Sequence, residues 1–316
     1  MADKPDIGAL FGADDVATFL GLDACDDLAK LDAPVAILGV PGATPYRTVG
    51  AYCAGAPGAL RASAARMAAN IDRYNFDLGG PMYPEGSRRA VDAGDLAYDP
   101  SDFAANRSHI RNSIETILER GAVPIVLGGD DSVPIPVHAA YEGRGPLTIL
   151  QIDAHIDWRP EHMDEPLGLS STMRRSSEMA HIERIVQVGA RGTGSAHPDD
   201  VQDALDWGAK LVLAEDVLRG GVETALQHIP DGSELLIAFD VDALDPSIVP
   251  GVIGRTPGGF SYYQVLDLLR GAFQKSRVAG ICVVEYAPQD DVDGIGAINV
   301  ARLIAAMLGL LARQGG

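Results

Sequence analysis

Short apolar runs alternate along the chain with segments whose apolar residues recur at helical spacing. PVAILGV (34–40), VPIVLGG (123–129), LTILQIDA (147–154), RIVQVGA (184–190), KLVLAE (210–215), LLIAFDV (235–241) and GICVVEY (280–286) read as strands. Several are apolar at consecutive positions, the pattern of a strand covered on both faces in a parallel sheet. Residues 58–71, 101–120, 261–274 and 299–314 carry apolar positions three and four apart and read as helices. The alternation predicts an α/β fold of three layers, αβα, with a central parallel sheet. No linker or composition break divides the 316 residues, so residues 1–316 read as a single domain.

Composition narrows the setting. No apolar run is read as long enough to span a membrane, and the opening MADKPDIGALFGADD carries acidic residues where a secretory signal needs a basic start. A soluble, cytoplasmic protein is expected. Three widely spaced cysteines (Cys25, Cys53, Cys282) form no CxxC pair and suit a reducing compartment. A formal charge of −19 disfavours nucleic acid and anionic membrane as partners and favours cationic ligands or metal ions.

In parallel α/β sheets ligands bind beyond the carboxyl ends of the strands, so the residues following each apolar run carry the chemistry. There stand Asp130 and Asp131 in GGDDS, Asp153, His155 and Asp157 in DAHID, Asp240, Asp242 and Asp245 in FDVDALDP, and Glu285 in VVEY. Crowded carboxylates repel one another unless cations compensate. Two divalent ions are the economical explanation, and oxygen donors with one imidazole suit Mn²⁺, Fe²⁺, Ni²⁺ or Zn²⁺. Side chains two apart in a strand share a face, so Asp153 can point with His155, and Asp240 with Asp242. Asp130 and Asp245 read as turn residues.

GGDDS, DAHID and AFDVDALDP in that order, followed by VVEYAP, resemble the signature segments of the ureohydrolase family, which includes arginase, agmatinase, guanidinobutyrase and guanidinopropionase. The resemblance covers most of the chain and includes the loop and helix at 39–63. It implies an arginase-like fold, a homo-oligomer (trimer or hexamer), and a binuclear centre of Mn²⁺ or, alternatively, Ni²⁺. Carried over by position, Asp153 and Asp240 bridge the ions, Asp131 and Asp157 complete one shell, and His155 with Asp242 completes the other. The resemblance further implies that a metal-bridging hydroxide would attack the carbon of a small cationic guanidino substrate held by Glu285. Asp157 passes the proton to the departing amine, releasing urea.

Two departures stand out. The family places a His directly after GGD, where this chain has Asp131. It also places a proton-transferring His beyond DAHID, where GLSSTMRR here offers Ser170 or Ser171. His162 is the nearest histidine able to replace it, and a serine cannot titrate in that role. Arg255, Arg159, Arg174 and Arg175 are candidates for reading a substrate carboxylate, and Trp158, Tyr262 and Tyr263 for shaping the pocket, although surface arginines ordinarily face water. A catalytically impaired partner subunit of an active paralogue, and a mononuclear deacetylase-type metal hydrolase, are the alternative functions.

Overall fold

The structure, a computed structural model, describes residues 16–314. The opening segment read against a secretory signal lies outside them. In chain order the strands are β1 (Asp23–Ala24), β2 (Val35–Val40), β3 (Tyr74–Asn75), β4 (Gly80–Pro81), β5 (Val91–Asp95), β6 (Val123–Gly128), β7 (Leu147–Ile152), β8 (Ile182–Val188), β9 (Lys210–Val212), β10 (Glu234–Asp240) and β11 (Arg277–Val284). β3 and β4 form a small antiparallel pair. The other nine make one sheet in the order β1-β5-β2-β6-β11-β10-β7-β8-β9, with every pairing parallel.

The helices are α1 (Ala56–Ala65), α2 (Phe103–Glu119), α3 (Pro134–Ala139), α4 (Thr172–Ser177), α5 (Pro198–Trp207), α6 (Ala214–Gly220), α7 (Glu223–Leu226), α8 (Tyr262–Lys275) and α9 (Ile295–Gln314). They cover both faces of the sheet. Leu235, Ile237 and Phe239 of β10 pack in one apolar cluster with residues of α1, α8 and α9, while Leu236 and Ala238 pack in a second with residues of α2, α3 and α4. Each fully buried aliphatic side chain contributes roughly 1.5–3 kcal/mol, so strands apolar at every position stabilise both layers. The three-layer αβα architecture is the one the apolar pattern predicts.

All seven expected strands form, with ends shifted by up to three residues, and the four expected helices fall on α1, α2, α8 and α9, although the one expected over 58–71 ends at Ala65 and gives way to a 3₁₀ turn at Ala68–Asn70. β5 escaped the apolar pattern because its sequence is VDAGD and its buried anchor is a charge. Arg61 of α1 grips Asp92 through Nε (2.8 Å) and Nη2 (2.9 Å), and Asp92 also accepts from Phe19 N at 2.7 Å. At Gly39 of β2 any Cβ would collide with the Asp95 carboxylate, so the neighbouring strand needs glycine there. One expectation is corrected by α9. This helix is long and apolar enough to cross a membrane, with mean hydropathy 1.9, yet 67% of that window is buried inside the fold. Its apolar character is that of a core helix clamped between α1 and α8.

The Arg61 head is 9% exposed and its partner Asp92 only 1%. Removing one member of such a pair leaves a buried uncompensated charge, which costs about 3–5 kcal/mol. Arg61→Ala is therefore expected to lower the urea midpoint by that equivalent with an unchanged m-value. A loss below about 1 kcal/mol, the range of an exposed pair, would contradict this account.

Candidate metal centre

Strands β6, β11, β10 and β7 are consecutive in the sheet, which brings four carboxyl ends side by side. Phe239 is in register with Ile152, and Asp240 with Val284, so Asp153, Asp240 and Glu285 emerge at nearly one level. Asp131 arrives from the turn after β6, where Glu285 N donates to Gly129 O at 2.9 Å. Asp242 sits in a single 3₁₀ turn beyond β10. Asp131, Asp153, Asp157, Asp240, Asp242 and Glu285 are all buried, and His155 is partly so.

Short hydrogen bonds fix the orientations. Asp153 accepts from His155 N (2.6 Å) and Gln151 Nε2 (2.7 Å), and the same Gln151 amide donates to Asp157 Oδ2 at 2.8 Å. Gln187 Nε2 in turn donates to the Gln151 carbonyl, locking the direction of its amide. Asp242 accepts from Ala154 N (3.0 Å), and Asp240 from Asp242 N (2.7 Å). Glu285 Oε1 accepts from both the Tyr52 hydroxyl (2.5 Å) and Asp131 N (2.8 Å). Asp157 and Glu285 both hold positive φ, 44° and 68°. Each such position costs an L residue on the order of 1–3 kcal/mol, so the surrounding bonds must over-determine it. For Asp157 these include Met173 N and Arg174 N, which donate to its carbonyl at 3.1 and 3.2 Å.

The electrostatics show what the cluster lacks. Burial, then neighbouring carboxylates, holds Asp131, Asp157 and Asp240 well above the ordinary carboxyl range. Burial also pushes Glu285 up to about 8. For His155 burial opposes the charged ring, but hydrogen bonds to Asp153 and Asp242 prevail and raise it to about 12. Asp153 goes the other way, lowered despite its burial by the His155 hydrogen bond. Without a cation, the cluster holds protons.

Donor geometry fits a pair of divalent ions. Asp153, His155 and Asp242 converge with ligand atoms within 4.8 Å of one another, and so do Asp131, Asp153 and Asp240. His155 Nδ1 lies 3.1 Å from Asp242 and 3.4 Å from Asp153. Such spacings suit neighbouring ligands around one ion with bonds of about 2.0–2.2 Å. Asp131 Oδ2 is buried with no hydrogen-bond partner, the sort of orphan that a cation satisfies.

Other candidates fall elsewhere. His162 bonds Arg159 at 2.9 Å and packs edge-on against Tyr46, outside both donor groups. Ser170 is buried with its N–H donating to the Tyr46 hydroxyl at 3.2 Å. Arg255 is exposed and holds the carbonyls of Pro250 (2.6 Å) and Asp290 (2.9 Å), although its neighbour Gly254 does border the site: a Cβ there would meet His155 at 3.1 Å. Arg174 and Arg175 form ion pairs with Asp203 and Glu178. Trp158 is buried against Trp207, and Tyr262 bonds Asp77. Asp130 and Asp245 accept backbone N–H groups in turns, as their context predicts. Sequence reasoning missed Gln151 and Tyr52. Gln151 carried a signal, a polar residue inside an apolar run, whereas Tyr52 reaches Glu285 from 233 positions away and carried none.

The family model described as Arginase family matches residues 33–309. The mitochondrial agmatinase of Gallus gallus is 32% identical over 251 residues, 76% of this chain and 72% of that protein. Guanidinopropionase of Pseudomonas aeruginosa is 30% identical over 309 residues, 95% and 92% of the two chains. Among solved structures, proclavaminate amidino hydrolase from Streptomyces clavuligerus superimposes with a TM-score of 0.82 at 26% identity, covering 94% and 97%. The chain belongs to the arginase family, and with it to the hydrolases of carbon–nitrogen bonds in linear amidines.

Two outcomes follow for the metal-free protein. A group whose pKa is higher folded than unfolded lends stability below its unfolded value and loses it as pH rises. Glu285 (4.5 to about 8) and His155 (6.5 to about 12) both act in this sense. The unfolding temperature of chelator-treated protein should fall as pH rises, between about 4.5 and 8 through Glu285 and from about 6.5 upward through His155, whereas added Mn²⁺ should reverse the slope, because ligands must shed protons to bind. A metal-free midpoint that climbs across this window would contradict the electrostatics. Gln151→Leu, which frees both Asp153 and Asp157, should weaken metal retention against a chelator by about 10- to 100-fold.

Proposed function

We propose that this chain, as one domain around its nine-stranded sheet, hydrolyses a small cationic guanidino compound to urea and an amine with the aid of two divalent ions. The observation that carries this reading is the convergence of six buried carboxyl groups and one imidazole at four adjacent strand ends. Asp153 belongs to both donor groups and is assigned as a bridge, with Asp240 beside it as the second. Asp131 and Asp157 are assigned to one ion, His155 and Asp242 to the other. When bound, the ions neutralise this charge and supply the Lewis acidity that makes water nucleophilic near neutral pH.

The remaining steps belong to the chain's own residues. Glu285 holds the planar guanidinium by charge-assisted hydrogen bonds. Its Oε1 already accepts from Tyr52 and Asp131 N, which fixes the carboxylate and leaves Oε2 as the more open acceptor. Asp157, held by Gln151 and by its left-handed backbone, orients the water and passes its proton to the departing amine. No imidazole stands where the family places its proton-transferring His, so leaving-group protonation rests on Asp157. Manganese is the assigned metal and nickel the alternative. A homo-oligomer in the cytoplasm belongs to the same reading.

The test is urea release by metal-loaded protein across guanidine, agmatine, guanidinobutyrate, guanidinopropionate and arginine. Urea from one of these, with kcat/KM falling about 10- to 100-fold in Glu285→Gln at unchanged metal content, is the expected result. No urea from any substrate would overturn the catalytic reading and favour a partner subunit, a role the two replaced histidines make concrete. A single ion per chain would favour the mononuclear alternative.

A further inference from the structure

The two donor groups are chemically unequal. Asp153, His155 and Asp242 place one imidazole nitrogen among carboxylates, whereas Asp131, Asp153 and Asp240 offer oxygen alone. Asp131 creates the difference. It is 3% exposed, and its Oδ2 has no hydrogen-bond partner. Its main chain is pinned on both sides, N–H to Glu285 at 2.8 Å and carbonyl under the Thr172 hydroxyl. The residue is fixed, therefore, and only the side chain's acceptor capacity is left open toward Asp153 and Asp240.

An all-carboxylate group attracts divalent cations by charge and discriminates little between hard ions, while an imidazole adds preference for the later first-row metals. We infer that the centre is a mixed pair, with a nitrogen-preferring ion such as Ni²⁺ beside His155 and Asp242 and a hard ion such as Mn²⁺ beside Asp131, with Asp153 and Asp240 between them. This rests on the proposed function only in taking both groups as ion sites. It does not depend on the substrate or on turnover.

The experiment equilibrates metal-free full-length protein with two equivalents of Ni²⁺ and a large excess of Mn²⁺, then measures bound metal and locates each element by anomalous diffraction at both absorption edges. One Ni²⁺ and one Mn²⁺ per chain are expected, with nickel at His155 and manganese at Asp131. Asp131→His should shift the content to two Ni²⁺, and His155→Asp to two Mn²⁺. Two nickel ions in the unmodified protein, both elements spread over both positions, or metal at one position only would each overturn the inference. The diffraction result on the unmodified protein decides even if a variant fails to fold. A 1:1 pair without urea from any guanidino compound would uphold the inference and sink the hydrolase reading, whereas urea release with two like ions would do the reverse.

Discussion

Six carboxyl groups, each no more than 7% exposed, converge where four parallel strands end, and their mutual repulsion in a poorly solvated place governs what the surroundings must supply. A lone buried charge is expensive, and several of like sign are prohibitive unless they are protonated or met by cations. Among the described residues His155 is the cationic candidate inside the cluster. Arg191, whose guanidinium donates to the carbonyls of Asp242 and Thr256, adds a second positive charge beside it. Among the described residues no further cation faces the cluster, so the remaining charge is met by protons or by bound cations.

That constraint explains features otherwise hard to motivate. Two non-glycine residues, Asp157 and Glu285, hold left-handed backbone at the site, and both are over-determined by hydrogen bonds. The amide of Gln151 serves two carboxylates at once, and Gln187 fixes which end of that amide faces them. A neutral donor suits this position: a lysine would itself neutralise part of the charge, and an apolar residue would leave both acceptors loose. Support of this kind turns a set of repelling groups into a fixed array able to hold cations.

Much of this was legible in the sequence. Strands apolar on both faces announce the parallel sheet, and the rule that ligands bind beyond strand carboxyl ends leads from the sequence to Asp131, Asp153, Asp240 and Glu285. What stayed hidden has one physical cause. β5 is polar because Asp92 is buried against Arg61, and Tyr52 matters because it folds over Glu285; both depend on partners distant in the chain. The arginines after DAHID were ambiguous for the same reason, since an ion pair with Asp203 and a substrate contact look alike until the neighbour is known. Helix α9 shows the converse, a composition that fits two environments until packing decides.

The two departures from the family pattern lie in segments joined by one hydrogen bond. Asp131 stands where a histidine is expected, and its carbonyl accepts the hydroxyl of Thr172, which follows Ser170 and Ser171 in the segment that lacks the other histidine. The N–H of the same residue donates to Glu285. One residue thus joins three things: a ligand position, the carboxylate proposed to hold the substrate, and the loop that would otherwise carry an imidazole. Energies of groups in one hydrogen-bonded network do not add, so neither departure can be weighed by itself. An aspartate at this point brings a third carboxylate to an oxygen-only group while leaving the main-chain contact to Glu285 intact. On the proposed reading, the Asp131 change therefore acts on the ion side of the site and the missing imidazole on proton transfer, while the Asp131 N–H contact to Glu285 stays in place.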